Sequence, residues 1–503
     1  MLTALYFFGH MLILVGMYLC TVYIWGKLQK RPPSPFLCFP LIGHVVDKHP
    51  IAEAYAELAN RYGPVYFLWS GSRPTVVVSS PKAAEECLCD NDVVFCNRIK
   101  GTLVGKYRGY DYTSLNFAPY GPHWRNLRKI ATVEILSSRR LLSLAAIRAH
   151  ELRLLIKRLS GSSRVVEMRP QILDTTLNIM TRMIFGEAYY GLEACSEKAR
   201  RLREMVVESI AVANMPCVGD FVPCLRWLDR SAEKRFKEYT EKRDRIMTEL
   251  FEEHRDKRIH PNPDPMGKPM IQSLLELQES DPEYYKDQVL HSLVLDLLIG
   301  STETTISTIE WALSLLLNHP EVLKKVRTEI DKHVGYSRLL EEPDLNQLPY
   351  LRCVINETLR MYPPLPFLFP HESSKDCVVG GYHVRNGTFL IINIHAMQND
   401  PKNWESPRSF RPERFEGVEG HKIGYKMMPF GSGRRSCPGE GLAVRVMGMM
   451  LGTLIQCLDI ERVDDKLVNM AQLESFNIQM GEPLTARIQS RHIMINLLQN
   501  LGE

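Results

Sequence analysis

The 503 residues include 62 lysines and arginines against 58 acids, a net charge of +4 spread along the chain. That balance gives no footing for a nucleic-acid-binding surface, and 45% hydrophobic with 24% charged residues excludes a disordered or collagen-like chain. The twelve cysteines form no C-x-x-C pair, and Cys87, Cys89 and Cys96 lack the partners of a zinc site. Cys437 apart, they read as reduced thiols in a reducing compartment.

Residues Ala4 to Trp25 contain no Asp, Glu, Lys or Arg. As a helix they span about 33 Å, against about 30 Å of bilayer core. Lys27, Lys30 and Arg31 follow the run, and Tyr23-Ile24-Trp25 makes a poor cleavage site. Residues 1–25 therefore read as a membrane anchor, with the body in the cytosol. The sequons Asn356-Glu-Thr358 and Asn386-Gly-Thr388 would then stay unmodified. Prolines in Arg31-Pro-Pro-Ser-Pro35 and at Pro40 predict a stiff connector over 26–45, leaving 46–503 as the body.

Val65 to Leu68 and Thr75 to Ser79 predict strands around Gly71-Ser-Arg-Pro74. Helical periodicity takes over from Pro81 and is broken by the irregular stretch Lys100 to Tyr120, a long loop of the functional kind. Trp124 and Arg128 stand four apart on one helical face, where both can donate to one anion. Residues 140–260 are mostly helical, and Ile259 to Pro269 is a proline-rich loop. The apolar run Asp287 to His319 predicts a central buried helix. Inside it, Gly300-Ser-Thr-Glu-Thr-Thr305 sets Glu303 beside Thr304, a costly pair in apolar surroundings unless satisfied. Gly300 and the hydroxyls weaken the helical ladder and permit a kink, where a hydroxyl and a carboxylate can pass protons to a ligand.

Further on, Glu357 and Arg360 stand at i,i+3, with Phe410-Arg-Pro-Glu-Arg-Phe415 some fifty residues later. Pro363 to His371 is an extended apolar segment. Tyr382 to Ile392 predicts a hairpin turning at Asn386-Gly387, and Phe476 to Gln479 and His492 to Asn496 predict strands. Phe430-Gly-Ser-Gly-Arg-Arg-Ser-Cys-Pro-Gly439 precedes an apolar helical run, Leu442 to Leu458. Cys437 thus lies at a helix N-terminus, which favours a thiolate. Glycines let this backbone turn tightly or approach a flat group, and Arg434 and Arg435 offer forked donors to carboxylates beside a metal.

The pattern F-x-x-G-x-R-x-C-x-G, met at Phe430, Gly433, Arg435, Cys437 and Gly439, resembles the haem-binding loop of the cytochrome P-450 family. The resemblance runs from the anchor to the last strands. It implies a mainly helical fold with a small β-rich lobe, and haem b (heme) held between Thr304 and Cys437, with Phe430, Gly431 and Gly439 shaping the loop. By the same resemblance Trp124, Arg128, Arg435 and His371 bind the haem propionates. Thr304 stabilises oxygen, and Glu303 relays protons. Glu357, Arg360 and Arg414 form a structural charge triad. Ser301 stands where the family pattern usually has glycine. Leu103, Tyr110, Leu115, Gly300, Leu365, Phe367, Leu368, Phe476 and Ile478 are the implied substrate wall.

Such an enzyme takes electrons from NADPH through a separate membrane-bound flavoprotein reductase at the endoplasmic reticulum. Arg128, Lys129, Lys422, Lys426 and Arg445 are its candidate docking face. Pro370-His-Glu-Ser-Ser374 and Gly452 to Cys457 are similar to plant members that hydroxylate isoflavonoids and lignans, or close methylenedioxy rings; terpenoids are also oxidised in that branch. A haem-thiolate isomerase or dehydratase that does not use O₂, and a non-catalytic membrane haem protein, are the rival readings.

Overall fold

The structure, a computed structural model, describes residues 30–46, 50–188, 197–259, 267–418, 423–473 and 477–500, with scattered positions before residue 30. Most of the expected anchor lies outside the described residues, as does Phe476. The anchor positions that are described are helical, and Ile13, Leu14, Met17 and Ile24 are exposed.

Six helices position the site: α1 (Pro122–Lys129), α2 (Met168–Phe185), α3 (Arg230–Ile259), α4 (Asp287–Asn318), α5 (Pro349–Met361) and α6 (Glu440–Cys457). Helix α4 is apolar on nearly all sides, so it is stable only when other helices surround it. Among the described residues it alone has the length and hydropathy to cross a membrane, yet most of it is buried inside the protein. Helices α2, α5 and α6 pack against it. Trp311 of α4 stacks flat on Tyr362 just beyond α5, with ring centroids 3.9 Å apart. Gly448 and Gly452 let α6 approach its neighbours; a Cβ at Gly452 would stand 2.8 Å from a Leu340 methyl.

The strands are β1 (Val65–Ser70), β2 (Arg73–Val78), β3 (Asn97–Arg98), β4 (Arg164–Glu167), β5 (His371–Glu372) and β6 (Cys377–Val379). They continue with β7 (Tyr382–Val384), β8 (Phe389–Ile392), β9 (Leu458–Arg462), β10 (Gln472–Leu473), β11 (Gln479–Met480) and β12 (Thr485–Ser490). The largest sheet has the order β1-β2-β8-β5-β3. Its first hairpin turns on Gly71 and Ser72, with Gly71 at φ +62°, so Arg73 and Pro74 belong to β2. Pairing of β3 with β5 sets Arg98 opposite His371, a juxtaposition the site depends on.

Two local expectations are corrected. No hairpin forms at Asn386-Gly387: β8 is nearly wholly buried and joins β2 in parallel, while β7 pairs with β6. Gly380 and Gly381, both at positive φ, supply the tight turn instead. His492–Met494 is a 3₁₀ turn leading into a helix over Ile495–Asn500; the C-terminal strand is β12. The described part of the proline-rich connector lies along the lobe. Phe67 N–H donates to Pro33 O (2.8 Å), and Trp69 N–H to His44 Nδ1 (2.8 Å).

Candidate active site

The loop before α6 is closed by its own backbone. Cys437 N–H donates to Phe430 O (2.8 Å), Ser436 N–H to Gly433 O (3.1 Å), and Gly431 N–H to Met428 O (3.0 Å). Gly431 and Gly433 both sit at φ +71°, where a side chain is strained. A Cβ on Gly433 would fall 2.5 Å from Leu88 O, so the loop lies hard against the turn over Glu86–Asp90. Arg434 fastens it there through Asp92, by its backbone N–H and its Nε (each 3.2 Å).

Cys437 is accessible, yet protein crowds it on most sides. Burial pushes its thiol up, and the Gly439 and Glu440 amides together with Arg128 only partly pull it back. The helix N-terminus therefore does not secure a thiolate alone, contrary to the simplest expectation from its position. A coordinated metal deprotonates such a thiol outright.

Three guanidiniums gather beside the loop. Arg435 donates to the carbonyls of Cys96 (2.9 Å), Leu115 (3.1 Å) and Ala118. Arg98 donates to Asn116 (3.2 Å), Phe369 (2.6 Å) and Pro370 (3.1 Å). Arg128 donates to Ser436 O (2.5 Å) and Oγ (3.2 Å). Burial lowers all three, Arg435 to about 10. Among the described residues none of them meets a carboxylate. Uncompensated buried cations are costly, so the cradle suits a ligand that carries its own acids, as the two propionates of haem do. The residues present fit that group.

Trp124 and Arg128 do not converge on a common point as expected. The Trp124 indole donates to Leu115 O (3.1 Å), and its ring lies 4.2 Å from the Arg435 guanidinium. Burial, with Arg98 and Arg435 nearby, holds His371 well below its ordinary range and hence neutral. Its Nδ1–H is committed to Phe95 O (2.6 Å), which leaves Nε2 as an acceptor only. In this tautomer His371 cannot donate to a propionate. Arg98 is the donor that reasoning from sequence missed; no motif marks it, and only the β3–β5 pairing brings it in.

The hydroxyls near Gly300 do not break helix α4, which continues through it. Its hydroxyls turn back on the ladder instead: Thr304 Oγ1 donates to Gly300 O (2.7 Å), Ser301 Oγ to Leu298 O (3.2 Å), and Thr302 also to Leu298 O. A Cβ on Gly300 would meet nothing within 4 Å, so the helix opens there. Glu303 is buried and ion-paired to Arg169, not hydrogen-bonded to Thr304. Burial pushes Glu303 up and Arg169 opposes it.

The loop over 100–120 is tied down on this side. Asp296, one turn before Gly300, accepts from Asn116 N–H (3.1 Å) and Nδ2 (2.8 Å). Tyr110, Asp111 and Tyr112 all take positive φ, and the Tyr110 ring lies 3.7 Å from the Arg243 guanidinium of α3. Leu103, Tyr110 and Leu115 are buried in the helical core. Ile478 borders α4: its carbonyl accepts from Ser307 Oγ (2.6 Å) and Trp311 Nε1 (3.2 Å), and its N–H donates to Pro364 O (3.0 Å) beside half-buried Leu365. Phe367 instead packs on Tyr55 (5.4 Å) and Leu368 joins the lobe core, which sets both on the lobe side.

Glu357, Arg360 and Arg414 come together as one buried cluster. Glu357 accepts from Arg360 Nε (2.7 Å) and Nη2 (2.9 Å) and from Arg414 Nε (3.0 Å). Of the candidate docking residues, Lys129 and Lys426 are exposed, while Arg128 is committed to Ser436 and Arg445 to Glu342 (2.8 Å). Lys422 lies outside the described residues.

A cysteine loop at a helix start, one buried and two half-buried cations that meet no carboxylate among the described residues, and an apolar central helix open at Gly300 are the parts of a haem-thiolate type of enzyme. The chain belongs to the cytochrome P450 family, whose model matches residues 31–483. It is 44% identical over 475 residues to cytochrome P450 81Q32 of Catharanthus roseus, covering 93% of each chain. It is 42% identical to an isoflavone 3'-hydroxylase of Medicago truncatula, covering 92% of each. Identity is 39% to the (+)-piperitol/(+)-sesamin synthase CYP81Q2 of Sesamum radiatum, over 95% of this chain and 94% of that one. Membership makes it a reductase-dependent monooxygenase with a haem bound through a cysteine thiolate.

Proposed function

We propose that this chain is a membrane-anchored monooxygenase that hydroxylates, or closes a ring on, an apolar plant aromatic metabolite of the isoflavonoid or lignan kind. NADPH supplies the electrons through a flavoprotein reductase, and the exposed Lys129 and Lys426 belong to its docking face. The observation that carries the reading is the set of three guanidiniums beside the Cys437 loop, Arg98 buried and Arg128 and Arg435 half-buried, none of which meets a carboxylate among the described residues.

In this reading Cys437 ligates the iron, and Arg98, Arg128 and Arg435 hold the propionates. When bound, the haem supplies oxygen activation, which a thiolate ligand favours by pushing electron density toward O–O cleavage. The chain's own part is orientation and proton handling. Gly300 leaves room beside α4, and the apolar helix keeps bulk water out. Thr304 presents a hydroxyl that among the described residues is bonded to Gly300 O alone, so it can turn to hold a proton at the reacting side. Similarity to relatives named for isoflavone hydroxylation and sesamin synthesis supports the aromatic substrate class. The uncharged run Ala4 to Trp25 supports an anchor in the endoplasmic reticulum membrane.

The test is an optical titration of membrane-bound protein with phenolic and terpenoid panels, set beside Cys437→Ala and Thr304→Ala. A spin-state shift with phenolics alone is the expected result, and a shift with terpenoids alone would overturn the substrate class. Cys437→Ala should lose the thiolate-haem spectrum in reduced, carbon-monoxide-treated samples while keeping the protein in the membrane. Thr304→Ala should keep that spectrum but divert NADPH-derived electrons to hydrogen peroxide.

A further inference from the structure

One face of α4 is open. Between Leu290 and Leu317 every residue is buried except Asp296, Leu297, Gly300, Ser301 and Thr304. Steps of four residues keep these positions on one side of the helix. Asp296 is the charged member of that stripe, and it stands about 12 Å along the axis from Thr304. It keeps accessible surface although protein crowds it on all sides, so it borders an internal space.

The carboxylate is fixed but not saturated. Its Oδ2 accepts from Asn116 N–H (3.1 Å) and its Oδ1 from Asn116 Nδ2 (2.8 Å). Asn116 is held in turn by Arg98, whose Nε donates to its carbonyl (3.2 Å), so the pair is tied to the cradle. A carboxylate offers about four acceptor sites, and among the described residues Asn116 fills two of them. Burial pushes the carboxyl up, while Arg108 and Asn116 pull it back. Arg108 acts from a distance, since its Nε donates to Ser209 Oγ (3.0 Å).

Two hydroxyls face the same corner. Ser114 Oγ approaches the carboxylate closely enough to favour its charge, yet without hydrogen-bonding geometry. Tyr110 OH lies within electrostatic reach of Asp296. Both hydroxyls are buried and have no hydrogen-bond partner among the described residues. Buried polar atoms are rarely left so. The missing group must donate to Asp296 and accept from Ser114 or Tyr110. A hydroxyl does both. An ammonium only donates, and it would meet the charge of Arg108; an ether only accepts.

We propose that Asp296 is a specificity-determining residue that takes a hydroxyl of the substrate, with the apolar remainder lying along the open face toward Thr304. This rests on the reading of that face as the substrate side. The substrate so implied carries a free phenol or alcohol at the end remote from Thr304. Its methyl ether lacks the donor and leaves the acceptor sites of the carboxylate unpaired, which a site of this kind rejects.

The test is a spin-state titration of the haem-loaded, membrane-bound chain. The probes are a dihydroxylated isoflavone, its dimethyl ether, and an aryl trimethylammonium of similar size, whose nitrogen cannot ligate iron. The wild type should bind the phenol about tenfold or more tighter than the ether, the worth of one hydrogen bond to a charged group. Asp296→Leu should bind the two alike while keeping the thiolate-haem spectrum. Asp296→Asn retains an acceptor oxygen for Asn116 and should fall between; it decides if Asp296→Leu fails to take up haem.

Equal affinities in the wild type would mean that the corner holds water only. That result, or a preference for the phenol that survives both substitutions, would overturn the inference and leave the aromatic substrate class standing. Tightest binding of the trimethylammonium, lost in Asp296→Leu, would make the corner a cation site and also overturn it. No shift with the isoflavones beside a shift with terpenoids would overturn the aromatic class instead. A terpenoid alcohol set against its methyl ether then decides the inference in the same variants.

Discussion

Gly433 in the cysteine loop and Gly300 in α4 work in opposite ways. At Gly433 the backbone is left-handed and a carbonyl waits 2.5 Å from where a side chain would begin. At Gly300 the backbone is helical and the space beyond is open. The cysteine side is therefore closed, by its own backbone bonds and by the turn it is pressed against, whereas the helix side is a gap bordered by distant elements. Holding a cofactor of fixed shape calls for a rigid, locally determined cradle. Admitting a substrate calls for room, and room has no sequence motif.

The largest expected effect comes from the Glu357 cluster, which buttresses the stretch before the cysteine loop through Gln398: Arg360 donates to its carbonyl (2.7 Å), and Met428 N–H donates to its side-chain oxygen (3.1 Å). Glu357→Ala would strand Arg360 and Arg414, the first fully buried, without their anion. Removing one partner of a buried pair costs about 3–5 kcal/mol. Equilibrium denaturation should show a loss of that size, with haem retention falling in parallel. Unchanged stability would mean that the cradle holds without its buttress. A smaller effect is expected at the loop itself. Gly433→Ala forces a non-glycine residue into the left-handed region, at about 1–3 kcal/mol, and drives its methyl onto Leu88 O. The variant should bind haem weakly at raised temperature, seen as an earlier loss of the thiolate-haem spectrum on heating.

What sequence revealed divides along the same line. Cys437, Gly431 and Gly433 are legible because one loop supplies the bonds, the turn and the helix start. Glu357 and Arg360 are legible as a pair because they share a helix, and Arg414 only through the resemblance of Phe410 to Phe415 to a family motif, since its contact with Glu357 spans 57 residues. Arg98 and Arg169 were invisible. Each takes its meaning from a partner more than a hundred residues away, His371 across a sheet for one and Glu303 across a helix contact for the other. The missed β6–β7 turn has another cause. Asn386-Gly387 carries the stronger hairpin signal, but burial of β8 in the main sheet outweighs local turn preference.

The smallest effect sharpens the comparison most, because its two readouts should move in opposite directions. Gly300 lies within an unbroken helix, where alanine is preferred to glycine by roughly 0.5–1 kcal/mol. A Cβ there clashes with nothing within 4 Å, so Gly300→Ala should make the folded protein slightly more stable. The same methyl would project into the open space beside Thr304 and narrow what a substrate can occupy. A ligand that shifts the spin state of the wild type should therefore bind the variant more weakly, with bulky ligands affected more than slender ones. Thermal unfolding and optical titration of the same sample measure the two effects together. A stability gain with unchanged titration would mean that the opening at Gly300 is not part of the substrate space. A stability loss would mean that glycine is needed by the helix itself, and that the contrast with Gly433 fails. Weaker ligand binding by a more stable protein would place selection for room, rather than for folding, at this position.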